Sequence, residues 1–280
     1  MTFSSPTSRS ASSAARAALL AAALSGCALL GGPERAAREA GFARSTISAG
    51  GFALAAYTRF APGAETLTVY IESDGAPWAH RDAPPSDPTP REPLALRLAS
   101  SDPSGAVAWL ARPCQYLAPA ELARCDSRYW RRARYAPEVI GAMSAAVDRL
   151  LEQSGARRLV LVGYSGGGAV AALLAARRSD VRLLVTVGGV LDTSAWTSRH
   201  AVTPLDESLN PADAAARLSS LPQTHYVGEE DKITPPALAE GFAARIGDRA
   251  HVERLAHRSH ERGWTADWAE RISLLRSHAS

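Results

Sequence analysis

Lysine is nearly missing from this chain. Lys232 is the only one among 31 basic residues, and the arginines that make up the rest are scattered rather than gathered into runs. Against 28 acids they leave a formal net charge of only +3. With no basic stripe and no aromatic stacking platform, nucleic acid is excluded as the expected partner. No apolar stretch is long enough to span a bilayer as a stable helix, and no repeat recurs at the periods of solenoids. Glycine-rich phosphate loops are also missing. The one glycine cluster, "GYSGGGA", has neither the Lys-Ser/Thr ending of a P-loop nor the G-x-G-x-x-G spacing. What is present is ordinary for a globular protein with a substantial core: 280 residues, 46% of them hydrophobic and 21% charged.

Arg9 and Arg16 are the only charges before Glu34, and "AALLAAALSGCALL" follows them directly. A short positive region and a modest apolar segment form a secretory-type signal. Leu24-Ser25-Gly26-Cys27 closes it and resembles a bacterial lipobox, in which cleavage before the cysteine is followed by its lipidation. The reading divides the chain into a signal at 1–26, a lipid-attachment and linker region at 27–63, and one folded domain at 64–280. The alternative is an ordinary secretory signal that contains a cysteine. Loss of Arg9 and Arg16 leaves the mature chain at +1, so the membrane is expected to hold it through lipid rather than surface charge. Ala28, not aspartate, follows Cys27; the resemblance to bacterial lipoproteins then implies the outer membrane of a cell envelope, facing the periplasm.

Cys114 and Cys125 remain. An exported pair is expected to form a disulfide, and closing so short a loop stabilises by about 2–3 kcal/mol on chain-entropy grounds. No histidine lies near them, and two thiols alone do not complete a zinc site. No metal or cofactor is expected.

Along the rest of the chain, strand and helix patterns alternate. Strands are expected at Glu65–Gly75, in "GAVAWLARP", "RRLVLVG", "VRLLVTVGG", "QTHYVGEED" and "HVERLA". Pro137–Gly155 has a proline near its start, apolar residues at helical spacing and a terminal glycine, which marks a helix. Further helices are expected in "LALRLASS", "GGAVAALLAARR", "PPALAEGFAARIG" and "TADWAERISLLRS". Ala76–Pro93 is proline-rich and reads as a long exposed loop. Val190–Pro222 reads as irregular apart from "PADAAARLSS". Such alternation, with near-continuous apolar strands, implies an α/β fold with a mostly parallel sheet covered on both faces.

"GYSGG" sits between a strand and a helix, where a glycine-flanked serine forms the nucleophile-elbow pattern G-x-S-x-G. Ser165 would then stand above the carboxyl end of the sheet, where open α/β folds place their ligands. A serine hydroxyl needs a base, and the base an orienting carboxylate. Asp231 follows the penultimate strand in "YVGEEDKITPP", with Glu229 and Glu230 beside it and Asp192 as an outside rival. His257 and His260 follow the last strand in "HRSHERGW".

The order Ser…Asp…His is that of α/β-hydrolases, and residues 64–276 resemble that family, specifically its small exported, lipoprotein-like members. The resemblance implies an α/β-hydrolase sheet with a short or absent cap, Ser165 as nucleophile, Asp231 as acid and His260 as base. It implies an oxyanion hole from the amide of Gly166 and a second amide after the early strand. Many members have His-Gly there; this chain has Asp74-Gly75, which leaves Gly75 and Ala76 both open as the donor and the role of Asp74 open as well, a turn dipeptide being the plain reading. Trp78 and His80 are expected near the mouth, and Trp196 and Trp264 are candidates to line an acyl pocket. The substrate class implied is a small-molecule or lipid ester or thioester. An amidase or peptidase with the same triad, or a non-catalytic envelope lipoprotein that uses the hydrolase scaffold for binding, are the alternatives.

Overall fold

Eight strands form one sheet in the order β1-β2-β4-β3-β5-β6-β7-β8. The computed structural model describes residues 32–75 and 85–278, together with Met1. The strands are β1 (Ala43–Ala49), β2 (Phe52–Phe60), β3 (Thr66–Ile71), β4 (Ala106–Leu110), β5 (Arg158–Tyr164), β6 (Val181–Val187), β7 (Gln223–Gly228) and β8 (Ala250–Leu255). Only β2 runs against its neighbours; β4, β3, β5, β6, β7 and β8 are parallel in succession.

The side-chain period of two explains the layering. In β5, Leu159 and Leu161 point into the core layer that holds helix α4 (Pro137–Ser154) and helix α5 (Gly166–Ala175). Val160 and Val162 point the other way, toward helix α2 (Leu94–Ser101) and helix α8 (Trp268–His278). Both faces are therefore covered, as a parallel sheet requires. Helix α4 has Pro137 in its first turn and ends at Gly155, whose φ of 70° permits the left-handed cap and whose N–H bonds to the carbonyl of Leu151. β8, at one edge, is partly exposed and carries Glu253 and Arg254, charges that discourage edge-to-edge pairing.

The linker expected at 27–63 is corrected by the structure: the sheet begins at Ala43. Helix α1 (Gly32–Glu39) precedes it, and β1 and β2 form a hairpin joined by Gly50-Gly51. Both glycines have positive φ, 55° and 84°, as a two-residue type I′ turn needs. A side chain on Gly50 would also come within 2.8 Å of Ala142 Cβ, so the turn is seated on helix α4. The residues of both strands are mostly small, and their weak hydrophobic contrast hid the alternation.

The stretch at 190–222 contains one element that was not expected: helix α6 (Thr193–His200) starts where Asp192 accepts from the N–H groups of Ser194 and Ala195. The exception expected in "PADAAARLSS" is a 3-10 helix at Pro211–Leu218. No large cap lies between β6 and β7. The last two of the shorter helices are α3 (Pro119–Leu122) and, between β7 and β8, α7 (Pro236–Ala244). Among the described residues, no helix is long and apolar enough to cross a membrane. Residues 1–26 and Cys27 lie outside the described residues, apart from Met1.

Candidate active site

Ser165 leaves β5 with φ 53° and ψ −121°, a conformation that an L residue holds only when its surroundings impose it. Three backbone bonds impose it here. The Ser165 N–H donates to the carbonyl of Val187 at 3.0 Å, and its own carbonyl accepts from Gly168 at 2.9 Å and Val190 at 3.0 Å. The close crossing of β5 and helix α5 explains the flanking glycines. A Cβ on Gly163 would overlap the carbonyl of Gly167, and one on Gly167 would overlap the carbonyl of Ile71. All ten residues of helix α5 are buried, so its start cannot shift without disturbing the core.

His260 reaches this serine from the loop after β8. Its Nε2 lies 2.9 Å from Ser165 Oγ, and its Nδ1 lies 2.8 Å from Asp231 Oδ2. The carboxylate favours the tautomer with the proton on Nδ1, which leaves Nε2 to accept from the serine hydroxyl. The loop is braced from below and from the side. The indole N–H of Trp264 donates to the carbonyls of Ser259 and His260, and the ring of Tyr164 lies 5.3 Å from the imidazole. Burial pushes the Tyr164 phenol upward, so it stays neutral beside the imidazole. Trp264 is thus a buried support of the histidine loop and not a wall of an acyl pocket. Trp196, on helix α6, is partly buried and donates to the carbonyl of Ile233 at 2.9 Å.

Asp231 is held from every side. Its Oδ1 accepts from the N–H groups of Ile233 and Thr234, each at 2.8 Å, while Thr234 Oγ1 stands 2.8 Å from Oδ2. Burial alone would raise its pKa, but the hydrogen bond and charge of His260 and the donors of Thr234 outweigh that and leave it lowered. The rivals fall away by position. Glu229 and Glu230 are exposed. Asp192 caps helix α6 and binds Arg245 at 3.0 Å. His257, at φ 59°, leaves its side chain 95% exposed and faces Glu230.

Two contributors escaped the sequence reading. Thr234 was passed over as part of "DKITPP". Gly188, at φ 51°, ends β6 directly beneath the pair: a Cβ there would lie 3.1 Å from Asp231 Oδ2 and 3.3 Å from His260 Nδ1. The "VGG" after a buried strand was the only available signal for it.

The Gly166 amide opens helix α5 and therefore has no intrahelical acceptor. Gly75 has φ 71°, and a Cβ on it would overlap the carbonyl of Pro88. Ala76, Trp78 and His80 lie outside the described residues. Asp74 is no simple turn residue. Its carboxylate packs where a Cβ of Gly166 would be, and it is gripped by Arg112 at 2.8 Å, Arg134 at 3.1 Å and the hydroxyl of Tyr135 at 2.6 Å. Desolvation pushes its pKa up; the two guanidinium groups and the tyrosine outweigh this and hold it below the ordinary value. Arg112, Arg134 and Tyr135 come from distant parts of the chain, and no spacing announced them. Cys114 and Cys125 are joined as a disulfide, with Cα atoms 5.9 Å apart.

This strand order, with the elbow serine after β5, is the α/β-hydrolase fold. No family model and no curated protein matches the chain by sequence. Solved structures do resemble it. An esterase of Pyrococcus furiosus superposes with a TM-score of 0.59 at 13% identity, over 86% of this chain and 92% of its own. Est1E from Butyrivibrio proteoclasticus, with ferulic acid bound, gives 0.62 at 11%, over 83% and 99%. A Xanthomonas campestris α/β serine hydrolase described as lacking a lid gives 0.51 at 12%, over 84% and 91%. At these identities the likeness is one of fold.

Proposed function

We propose that this chain is a serine hydrolase that cleaves a carboxylic ester or thioester, of a small molecule or a lipid, through an acyl intermediate on Ser165. One observation carries the reading: Asp231, His260 and Ser165 form an unbroken row of contacts at 2.8 and 2.9 Å on a strained strand-to-helix turn. In the proposed reaction Ser165 Oγ attacks the acyl carbon while His260 Nε2 takes its proton. Asp231 holds Nδ1–H and stabilises the imidazolium. The carbonyl oxygen becomes an oxyanion that the amide of Gly166 and one from Gly75 or Ala76 receive. The leaving oxygen or sulfur departs with the proton on His260, and a water then repeats the sequence to release the acid.

The test is labelling of the full-length chain, purified in detergent, with a fluorophosphonate. The wild type should label, while Ser165→Ala and His260→Ala should not. A folded wild type that stays unlabelled would overturn the reading and favour a binding role for the scaffold. Panels of matched esters and amides then separate an esterase from an amidase.

The second part of the proposal is an anchor: cleavage after residue 26 and lipid on Cys27, holding the domain at the outer membrane of a bacterial envelope, facing the periplasm. The lipobox-like Leu24–Cys27 supports it. So does the Cys114–Cys125 disulfide, a bond suited to an oxidising compartment. Cells fed a clickable palmitate analogue should label the wild type and not Cys27→Ser; equal labelling of both would refute the anchor.

A further inference from the structure

Four separate chain segments meet beside Gly166, the residue after Ser165, and charge joins three of them. The end of β3 supplies Ser73, Asp74 and Gly75. The segment after β4 supplies Arg112 and Gln115, and the segment before helix α4 supplies Arg134 and Tyr135. The start of helix α5 supplies Gly166. Arg112 and Arg134 are buried, with side chains 4% and 7% exposed, and Asp74 is 13% exposed. The Arg112 guanidinium also lies over the Tyr135 ring at 5.1 Å and donates to the carbonyl of Arg134. Gln115 adds a grip on the neighbouring residue, donating from Nε2 to the carbonyl of Ser73 at 3.0 Å and accepting from the N–H of Arg112 at 3.2 Å. The disulfide begins at Cys114, between those two residues.

This is far more fixing than a two-residue turn needs. Buried charges are costly to desolvate, and such a cluster does not stabilise a fold better than apolar packing of the same volume. Its geometry, however, is specific. The carboxylate bears on Gly166, the residue after the nucleophile, while its own backbone leads straight into Gly75, one of the two candidates for the second amide. We propose that Asp74 is a positioning residue for the oxyanion site: clamped by Arg112, Arg134 and Tyr135, it sets the distance between the backbone at Gly75 and the amide of Gly166. The proposal rests on the hydrolase reading above.

Three roles for the cluster predict three different results for Asp74→Asn. A positioning role predicts that kcat falls while KM holds, because the donors act on the oxyanion and not on the bound ester. A purely electrostatic role predicts that kcat rises. Two guanidinium groups against one carboxylate leave one surplus positive charge, and the substitution increases that surplus next to the developing negative oxygen. A merely structural role predicts a lower melting temperature with kcat per labelled serine unchanged.

The experiment measures kcat and KM on a p-nitrophenyl ester, Ser165 titration by fluorophosphonate, affinity for an aryl boronic acid, and melting temperature. It uses the full-length wild type, Asp74→Asn and Tyr135→Phe. Asp74→Asn should lose about 100-fold in kcat, the order expected for a displaced oxyanion donor, with KM within about twofold and boronate affinity falling in parallel. Tyr135→Phe removes one hydrogen bond to the carboxylate and leaves both ion pairs, so about a 3- to 10-fold loss of the same kind is expected. If Asp74→Asn does not fold, Tyr135→Phe decides. An unchanged or raised kcat in a folded variant, unaltered boronate affinity, or failure of both variants to fold would each overturn the proposal. A wild type that neither labels nor turns over would instead overturn the hydrolase reading, and the proposal with it.

Discussion

One aspartate reaches Ser165 through His260 and another lies against the next residue, Gly166; the difference between their partners is instructive. Asp231 and Asp74 are both largely buried, and both are held below the ordinary carboxylate range although burial alone would raise them. Asp231 faces an imidazole, whose other ring nitrogen lies 2.9 Å from the Ser165 hydroxyl and can accept its proton. Asp74 faces two guanidinium groups, planar donors with no lone pair to accept a proton. The first pair is therefore able to take part in proton transfer, and the second is confined to holding atoms in place. Residue type and pKa direction are the same in the two; the partner separates a reacting assembly from a fixed one.

The comparison breaks most sharply with Asp231→Asn. The amide keeps the shape but no longer selects the Nδ1–H tautomer or stabilises the imidazolium. A loss of about 10⁴ in kcat is expected, against the far smaller loss expected of Asp74→Asn. Equal losses in the two variants would mean that the carboxylates do not divide the work in this way.

A smaller effect sharpens the contrast through acid stability. Both aspartates have folded pKa values below their unfolded ones, so the stability they contribute is present above about pH 4 and is lost as the pH falls through their folded values. His225 acts in a higher window. It is fully buried between β6 and helix α7, with Nδ1 2.9 Å from Thr186 Oγ1, and burial pushes its pKa down to about 3. Between about pH 6.5 and 3 the unfolded chain binds the proton that the folded chain refuses, so stability falls by up to about 1.4 kcal/mol per pH unit. Denaturant midpoints should therefore drop between pH 6.5 and 4.5 in the wild type and stay nearly flat in His225→Gln. An equal drop in both would assign the acid sensitivity elsewhere.

The parallel half of the sheet was readable in advance because buried parallel strands are long apolar runs, as "RLVLVGY" and "VRLLVTV" are. β1 and β2 were not, although Gly50-Gly51 offered a turn signal; Ala, Ser and Thr give strands too little hydrophobic contrast to read by period. Helix α6 was missed because its start depends on the Asp192 cap rather than on an apolar stripe. For the site, local motifs selected Ser165, and order along the chain selected Asp231 and His260. That all three meet is a fact of tertiary geometry. The Asp74 cluster was invisible for the same reason: its members are 38 and 60 residues away from the aspartate, and no local pattern links them.

Helix α1 begins at Gly32, five residues beyond Cys27. Fully stretched, five residues span at most about 18 Å. On the proposed anchor at Cys27, such a leash would keep the folded domain close to the bilayer, sampling a thin shell of solvent rather than the width of a compartment. Encounter would then be governed by what lies in or brushes against that membrane, and a form cut free of Cys27 would meet a different set of molecules with the geometry around Ser165 unaltered.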